Sequence, residues 1–166
     1  ADFDVVRGSA ATRVNAEGLI EDISILSGEL VTNGDFSNGS TNWTLGTGWS
    51  IADGKASFDG GADAVIVQAS ASITIGNTFK ITLDVSDMDN GELSVRLGGG
   101  AATEIARITE NGSYVFYGVS ISSNITFRAL SSFNGSIDNV SVKEVTDATN
   151  IPRIDYTTGE GVVLLE

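Results

Sequence analysis

Apolar Phe79, Ile81, Leu83 and Val85 alternate with Lys80, Thr82 and Asp84, and Leu93, Val95 and Leu97 alternate with Ser94 and Arg96. A period of two sends successive side chains to opposite faces, so both stretches read as half-buried β-strands. Residues 64–67, 114–119, 125–130 and 137–145 continue the pattern, with turn residues at the spacing of roughly ten positions expected of a sandwich. Five Asn-Gly pairs, Asn33-Gly34, Asn38-Gly39, Asn90-Gly91, Asn111-Gly112 and Asn134-Gly135, punctuate these stretches. Asn and Gly both tolerate positive φ, so the pairs predict hairpin turns between antiparallel strands. No stretch has a helical period, and the Ala-rich run 62–71 is broken by Val65-Ile66-Val67. The predicted fold class is all-β, an antiparallel β-sandwich. Across 136–142 the alternation slips by one residue at Asp138-Asn139, which predicts a β-bulge that aims a carboxylate sideways.

The chain divides into a body, 30–146, and two flanks, 1–29 and 147–166. Thr12-Arg13-Val14-Asn15 and Leu19-Ile20-Glu21-Asp22 read as a hairpin closed by Ala16-Glu17-Gly18, and 151–156 with 162–165 read as a second one. Pro152, the only proline, fits a strand start or an exposed edge because it has no N–H to donate. At 166 residues the chain can bury one substantial core, so one main domain with anchoring flanks is expected.

Charge narrows the partners. Nine Lys and Arg against 22 Asp and Glu give a net charge of −13, and the basic residues are scattered singly from Arg7 to Arg153. Nucleic-acid binding needs a clustered positive patch, so none is predicted. An anionic membrane would be repelled, and no apolar run reaches the roughly 20 residues of a membrane-spanning helix. The chain has no Cys and no His, which removes disulfides, thiolate zinc sites, cysteine nucleophiles and imidazole triads. No carboxylate pair is singled out by an apolar neighbourhood, as glycoside hydrolysis requires, so a non-enzymatic protein is expected. The Ala1-Asp2-Phe3-Asp4 start lacks an initiator Met and is no signal peptide, so the chain is expected to be processed or part of something longer.

Several residues are candidates for binding. Trp43 and Trp49 serve either as sugar platforms, stacking on C–H faces, or as core, and the burial bias of large aromatics favours core. On 114–119, Tyr114 and Phe116 share one face while Val115, Tyr117 and Val119 share the other. One set must look outward, which makes this strand the candidate for an aromatic strip serving a glycan or an oligomer interface. Asp138 is either a metal ligand or the acceptor for N–H groups freed at its bulge. Asp84, Asp87, Asp89 and Glu92 are expected in a solvated acidic loop between two strands, since their spacing is not that of an EF-hand.

A resemblance adds to this. Leu30-Val31-Thr32-Asn33-Gly34-Asp35-Phe36-Ser37, Asn42-Trp43-Thr44, Trp49-Ser50-Ile51, Gly54-Lys55-Ala56 and the closing Ile137-Asp138-Asn139-Val140-Ser141-Val142 resemble carbohydrate-binding modules of the jelly-roll type attached to xylanases and glucanases. The resemblance covers the body and implies a jelly roll, glycan binding and one structural calcium, with Tyr114, Phe116 and Trp43 as the candidate sugar contacts; in that family the equivalents of Trp43 and Trp49 more often close the core. The implied calcium set is Asp35, Ser37, Ala52, Lys55 and Asp138. Ser37 stands where the family has a carboxylate, which removes charge from the site.

The flanks are similar to segments of tailed-bacteriophage virion proteins. Ala11-Thr12-Arg13-Val14-Asn15 with Gly18-Leu19-Ile20-Glu21, and Pro152-Arg153-Ile154-Asp155-Tyr156 with Leu164-Leu165-Glu166, carry that likeness. It implies a tail fibre, spike or capsid appendage on the virion surface, a module held between paired ends, and a homo-oligomer, a trimer by analogy. The expectation is a phage structural protein displaying a module for glycan adhesion or for contact with other virion subunits. The alternative is a secreted bacterial polysaccharide-binding module of a larger enzyme or adhesin.

Overall fold

A computed structural model describes residues 12–14, 20–22, 25–69, 72–98, 104–145, 153–155 and 162–164. In the flanks, β1 (Thr12–Val14) pairs antiparallel with β2 (Ile20–Asp22), and β11 (Arg153–Asp155) pairs antiparallel with β12 (Val162–Leu164). The expected hairpin loops, Pro152 and the meeting of the two ends lie outside the described residues.

The body contains β3 (Thr44–Leu45), β4 (Trp49–Ala52), β5 (Lys55–Asp59), β6 (Ala64–Ala69), β7 (Thr78–Arg96), β8 (Glu104–Ile108), β9 (Gly112–Val119) and β10 (Asn124–Val145). No helix occurs among the described residues. All pairings are antiparallel, and the long strands β7 and β10 run side by side from Thr126↔Arg96 to Val145↔Thr78. Their two halves take different neighbours. The first half of β10 pairs with β6 and the second with β5, while the late part of β7 pairs with β8 and the early part with β9. Two layers result, β3-β6-β10-β7-β8 and β4-β5-β10-β7-β9, joined by the two strands common to both. This is a jelly-roll β-sandwich.

The passage between layers is a corner in both long strands. The β7–β10 register slips between Leu130 and Asn134 and again before Ser136, and Asp87, Ser131 and Ser132 take left-handed φ values of 56°, 53° and 59°. Asn90-Gly91 and Asn134-Gly135 lie inside β7 and β10 at this corner, which corrects the expectation that they close hairpins. Gly91, at φ 79°, is crossed so closely by β10 that a Cβ there would lie 2.2 Å from the Phe133 nitrogen. Asn111-Gly112 leads from β8 in one layer to β9 in the other and also joins no hairpin. The acidic residues 84–92 likewise form no loop between strands, because β7 continues through them.

A two-residue hairpin does occur, at Asp53-Gly54, where Ala52 pairs with Lys55 and φ is 53° and 74°. Two consecutive positive φ values define the turn whose twist matches its strands. The slip at Asp138-Asn139 is a bulge, as the alternation predicts. The β7–β10 ladder gains a residue between Asp138 and Ser141, Asn139 has φ 51°, and Asp138 Oδ1 accepts the Asn139 N–H at 2.6 Å.

The core lies between the layers. Ile66, Phe127 and Val95, in register across one layer, meet Phe79, Ile81 and Val142 of the other, all fully buried. Trp43 packs on Phe36 and Phe127 at ring-centre distances of 5.2 and 6.2 Å, and Trp49 on Phe58 and Phe133 at 5.3 and 6.3 Å. Each such side chain contributes about 1.5–3 kcal/mol by leaving water. Trp43 also donates its indole N–H to the Asn33 carbonyl at 2.9 Å, which fastens the 33–43 loop over the core.

Candidate functional site

With the inward set fixed by burial, the register assigns every outward residue. On β3-β6-β10-β7-β8 the outer face gathers Ser94, Arg96, Glu104 and Arg107, and it is closed by its own charges. Ser94 Oγ donates to Glu104 Oε2 at 2.5 Å, Arg96 Nε donates to Ser94 Oγ at 2.8 Å, and Arg107 reaches Glu104 at 3.1 Å and Glu92 at 2.9 Å. The Ser94 hydroxyl, followed by the Arg107 guanidinium and the more distant Arg96, holds the Glu104 carboxyl below its ordinary range. Arg128 on this layer pairs with Asp63 at 3.4 Å. A ligand would have to displace these contacts.

The outer face of β4-β5-β10-β7-β9 is built differently. Antiparallel partners lie about 4.5–5.5 Å apart on one face, and the register sets out successive rows: Ser57–Ser136–Ser86, Asp138–Asp84–Ser113, Ser141–Thr82–Val115 and Lys143–Lys80–Tyr117. Ser57 and Ser136 share a hydrogen bond of 2.9 Å. Asp84 accepts from Ser113 and from Asn139 Nδ2, the latter at 2.8 Å, and those bonds lower its pKa. Lys55 Nζ donates to Ser86 Oγ at 2.9 Å and Asp87 Oδ2 at 3.1 Å, which keeps Asp87 ionised to lower pH. The result is a hydroxyl-rich face bordered along β9 by Val115, Tyr117 and Val119, which are 54%, 40% and 43% exposed.

The residues singled out in the sequence fall in three places. Trp43 is 5% exposed and belongs to the core. Tyr114 and Phe116 occupy the core-facing side of β9, half-buried and stacked at 5.7 Å, with the Tyr114 hydroxyl donating to the Glu110 carbonyl at 2.8 Å. Tyr117 is therefore the outward aromatic of that strand. Alternation had divided β9 into two sets without saying which looked out.

The segments that carry the implied calcium set adjoin one another. The Asp35 carbonyl oxygen lies 3.6 Å from where a Cβ would stand at Gly54, in the turn between Ala52 and Lys55. Val140, two residues after Asp138, donates its N–H to the Gly34 carbonyl at 2.9 Å. The Ser37 hydroxyl donates to Asp35 Oδ1 at 3.0 Å. No group of three or more acidic side chains gathers among the described residues.

Neither a protein family nor a curated protein matches the sequence. Solved structures are similar in fold. A family 4 carbohydrate-binding module shares 14% identity over 69% of this chain and 99% of its own, with a TM-score of 0.48. The enzymatically active domain of tailspike protein 4 from bacteriophage CBA120 shares 20% identity over 70% of this chain, TM-score 0.48, and the match spans only 21% of that longer chain. The second N-terminal cellulose-binding domain of Cellulomonas fimi β-1,4-glucanase C shares 19% identity over 75% of this chain and all of its own, TM-score 0.45. At such identities the binding residues of this chain stay unassigned by likeness.

Proposed function

We propose that this chain is a non-enzymatic carbohydrate-binding module that adheres to glycans through the outer face of β4-β5-β10-β7-β9. The observation that carries the reading is the outward Tyr117, set beside rows of Ser, Thr and Lys side chains on a rigid sheet. A sugar offers a C–H face to an aromatic plane and hydroxyls to hydrogen-bonding groups, and this face offers both kinds of partner. The sequence resemblance of the body to jelly-roll binding modules supports the same reading. Among the described residues, the three carboxyls with displaced pKa values, Asp84, Asp87 and Glu104, are all held below their ordinary range. A general acid for glycoside hydrolysis needs the opposite shift.

The likeness of the flanks to phage virion segments supports a place on a tail fibre, spike or capsid appendage, with other virion subunits as partners. A polysaccharide-binding module of a secreted bacterial protein would use the same face. A glycan array separates adhesion from a purely structural role: binding that Tyr117→Ala abolishes without a change in melting temperature supports the reading, and an array without any signal refutes it.

One observation favours subunit contact as a second use. Among the described residues β9 pairs with β7 alone, which leaves its other edge without a strand partner there, and its sequence Gly-Ser-Tyr-Val-Phe-Tyr-Gly-Val carries no charge. Edges of that kind are normally guarded by Lys, Pro or a bulge because they pair readily with other chains. A structural calcium belongs to the same proposal, with Asp35, Ala52 and Lys55 offering carbonyl oxygens and Asp138 its carbonyl and carboxylate. The fit is that of a weak site, because calcium takes six to eight oxygens and usually several carboxylates, while Ser37 brings only a neutral hydroxyl already bonded to Asp35. Millimolar calcium should raise the melting temperature by mass action; an unchanged value with calcium and with chelator removes the ion from the proposal.

A further inference from the structure

The sheet face described above holds an arrangement that folding alone does not explain. Lys80 and Lys143 are direct cross-strand partners on β7 and β10, and Lys80 is at the same time the partner of Tyr117 on β9. Like charges placed opposite each other destabilise a sheet. The chain has nine basic residues against 22 acidic ones, so acidic neighbours for these two lysines were abundantly available. Among the described residues Lys55, Arg96, Arg107 and Arg128 each have a carboxylate partner, whereas Lys80 and Lys143 have none.

The surroundings keep the pair free. The nearest outward row, Ser141–Thr82–Val115, is neutral. Glu29, beside Ser141, spends Oε2 on the Ser141 hydroxyl and Oε1 on the N–H groups of Leu30, Val31 and Val142. Asp84 and Asp138 stand one row further along the sheet. Two cations, a row of hydroxyls and an aromatic ring thus lie within three adjacent strands, on a molecule that otherwise repels anions.

Resting on the glycan-binding reading, we infer that the ligand is an anionic glycan, a chain of sugars bearing carboxylate or sulfate groups. Lys80 and Lys143 receive the acidic group, Tyr117 stacks under the ring that carries it, and Thr82 and Ser141 bond to neighbouring hydroxyls. The overall charge of −13 works against loose adsorption of any polyanion, so attachment depends on this one spot and on its charge balance. A neutral polysaccharide would leave both ammonium groups without a counter-charge and gain nothing from them.

Affinity electrophoresis and titration calorimetry against four polymers test this: polygalacturonate, dextran sulfate, neutral galactan and neutral dextran. The expected result is at least tenfold tighter binding of one acidic polymer than of its neutral counterpart, and which of the two it is identifies carboxylate or sulfate as the group read. Lys80→Gln/Lys143→Gln should lose at least tenfold of that affinity, with an unchanged circular dichroism spectrum and a melting temperature no lower than that of the parent. Arg128→Gln, on the opposite layer, should bind as the parent does, and raising salt from 50 to 500 mM should weaken the parent far more than the double variant, because exposed charges are screened. Neutral binding that Tyr117→Ala abolishes and the double lysine variant leaves intact would overturn the inference and keep the glycan reading. Absence of binding to all four polymers would overturn both.

Discussion

Replacing Gly91 with Ala strikes the point where the two layers join. Gly91 sits at φ 79° and β10 crosses it, so an added Cβ would lie 2.2 Å from the Phe133 nitrogen, 2.3 Å from its Cα and 2.7 Å from the Ser132 carbonyl carbon. All three are backbone atoms, and no side-chain rotation relieves the clash. A left-handed conformation costs a non-glycine residue about 1–2 kcal/mol, and forcing packed segments apart costs about 1–3 kcal/mol more. The lower entropy of the unfolded Ala chain returns about 0.4–1 kcal/mol, leaving a net loss of about 2–4 kcal/mol. Gly39→Ala separates the two costs, because Gly39 also has a left-handed φ, 58°, but has nothing within 4 Å of the added atom. It should lose about 1.5 kcal/mol at most, since only the backbone cost remains. Urea titration followed by the fluorescence of buried Trp43 and Trp49 measures both variants. At roughly 2–4 °C per kcal/mol for a chain of this size, Gly91→Ala should melt about 4–16 °C lower. Equal losses in the two variants, or a loss below about 1 kcal/mol for Gly91→Ala, would show that the long strands do not cross in the way described.

Three further outcomes follow from named contacts. Trp43→Ala should cost about 3–5 kcal/mol in urea unfolding because it empties a buried aromatic site, whereas Tyr117→Ala should cost under about 1 kcal/mol because its ring is largely outside the core; equal losses would contradict the inward and outward assignment. The lowered Glu104 pKa stabilises the fold above the ordinary carboxylate range, and that contribution is lost as pH falls through the lowered value. Ser94→Ala removes its main cause, so NMR titration should find Glu104 protonating at higher pH and the acid limb of the stability curve less steep; an unmoved Glu104 would refute the assigned cause. Val115→Lys puts a charge on the open β9 edge and should shift any self-associated species toward monomer in light scattering, while an unchanged mass would remove that edge as the contact.

Alternation alone located the strands. Phe79, Ile81, Leu83 and Val85 lie inward on β7 as their period required, because a pleated strand sends every second side chain to the same face whatever its neighbours are. The bulge at Asp138-Asn139 was legible for the same reason, since a slip in the pattern is a slip in the ladder. Asn-Gly misled because positive φ serves any sharp bend and the pair does not always use it. Gly91 takes φ 79° inside β7, whereas on β10 the left-handed residues of the corner are Ser131 and Ser132, not Asn134-Gly135, and the two-residue turn fell to Asp53-Gly54.

The candidate site divides along the same line. Local sequence determined that Tyr114 and Phe116 oppose Tyr117 on one strand, and that the chain carries a net charge of −13. Which side of β9 faces the second layer depends on Ile105 and the strands opposite, and that Lys80 meets Lys143 depends on a register between residues 63 positions apart. Such pairings arise from closing long loops and burying both inner faces at once, so no window of sequence contains them and only the assembled sandwich decides them.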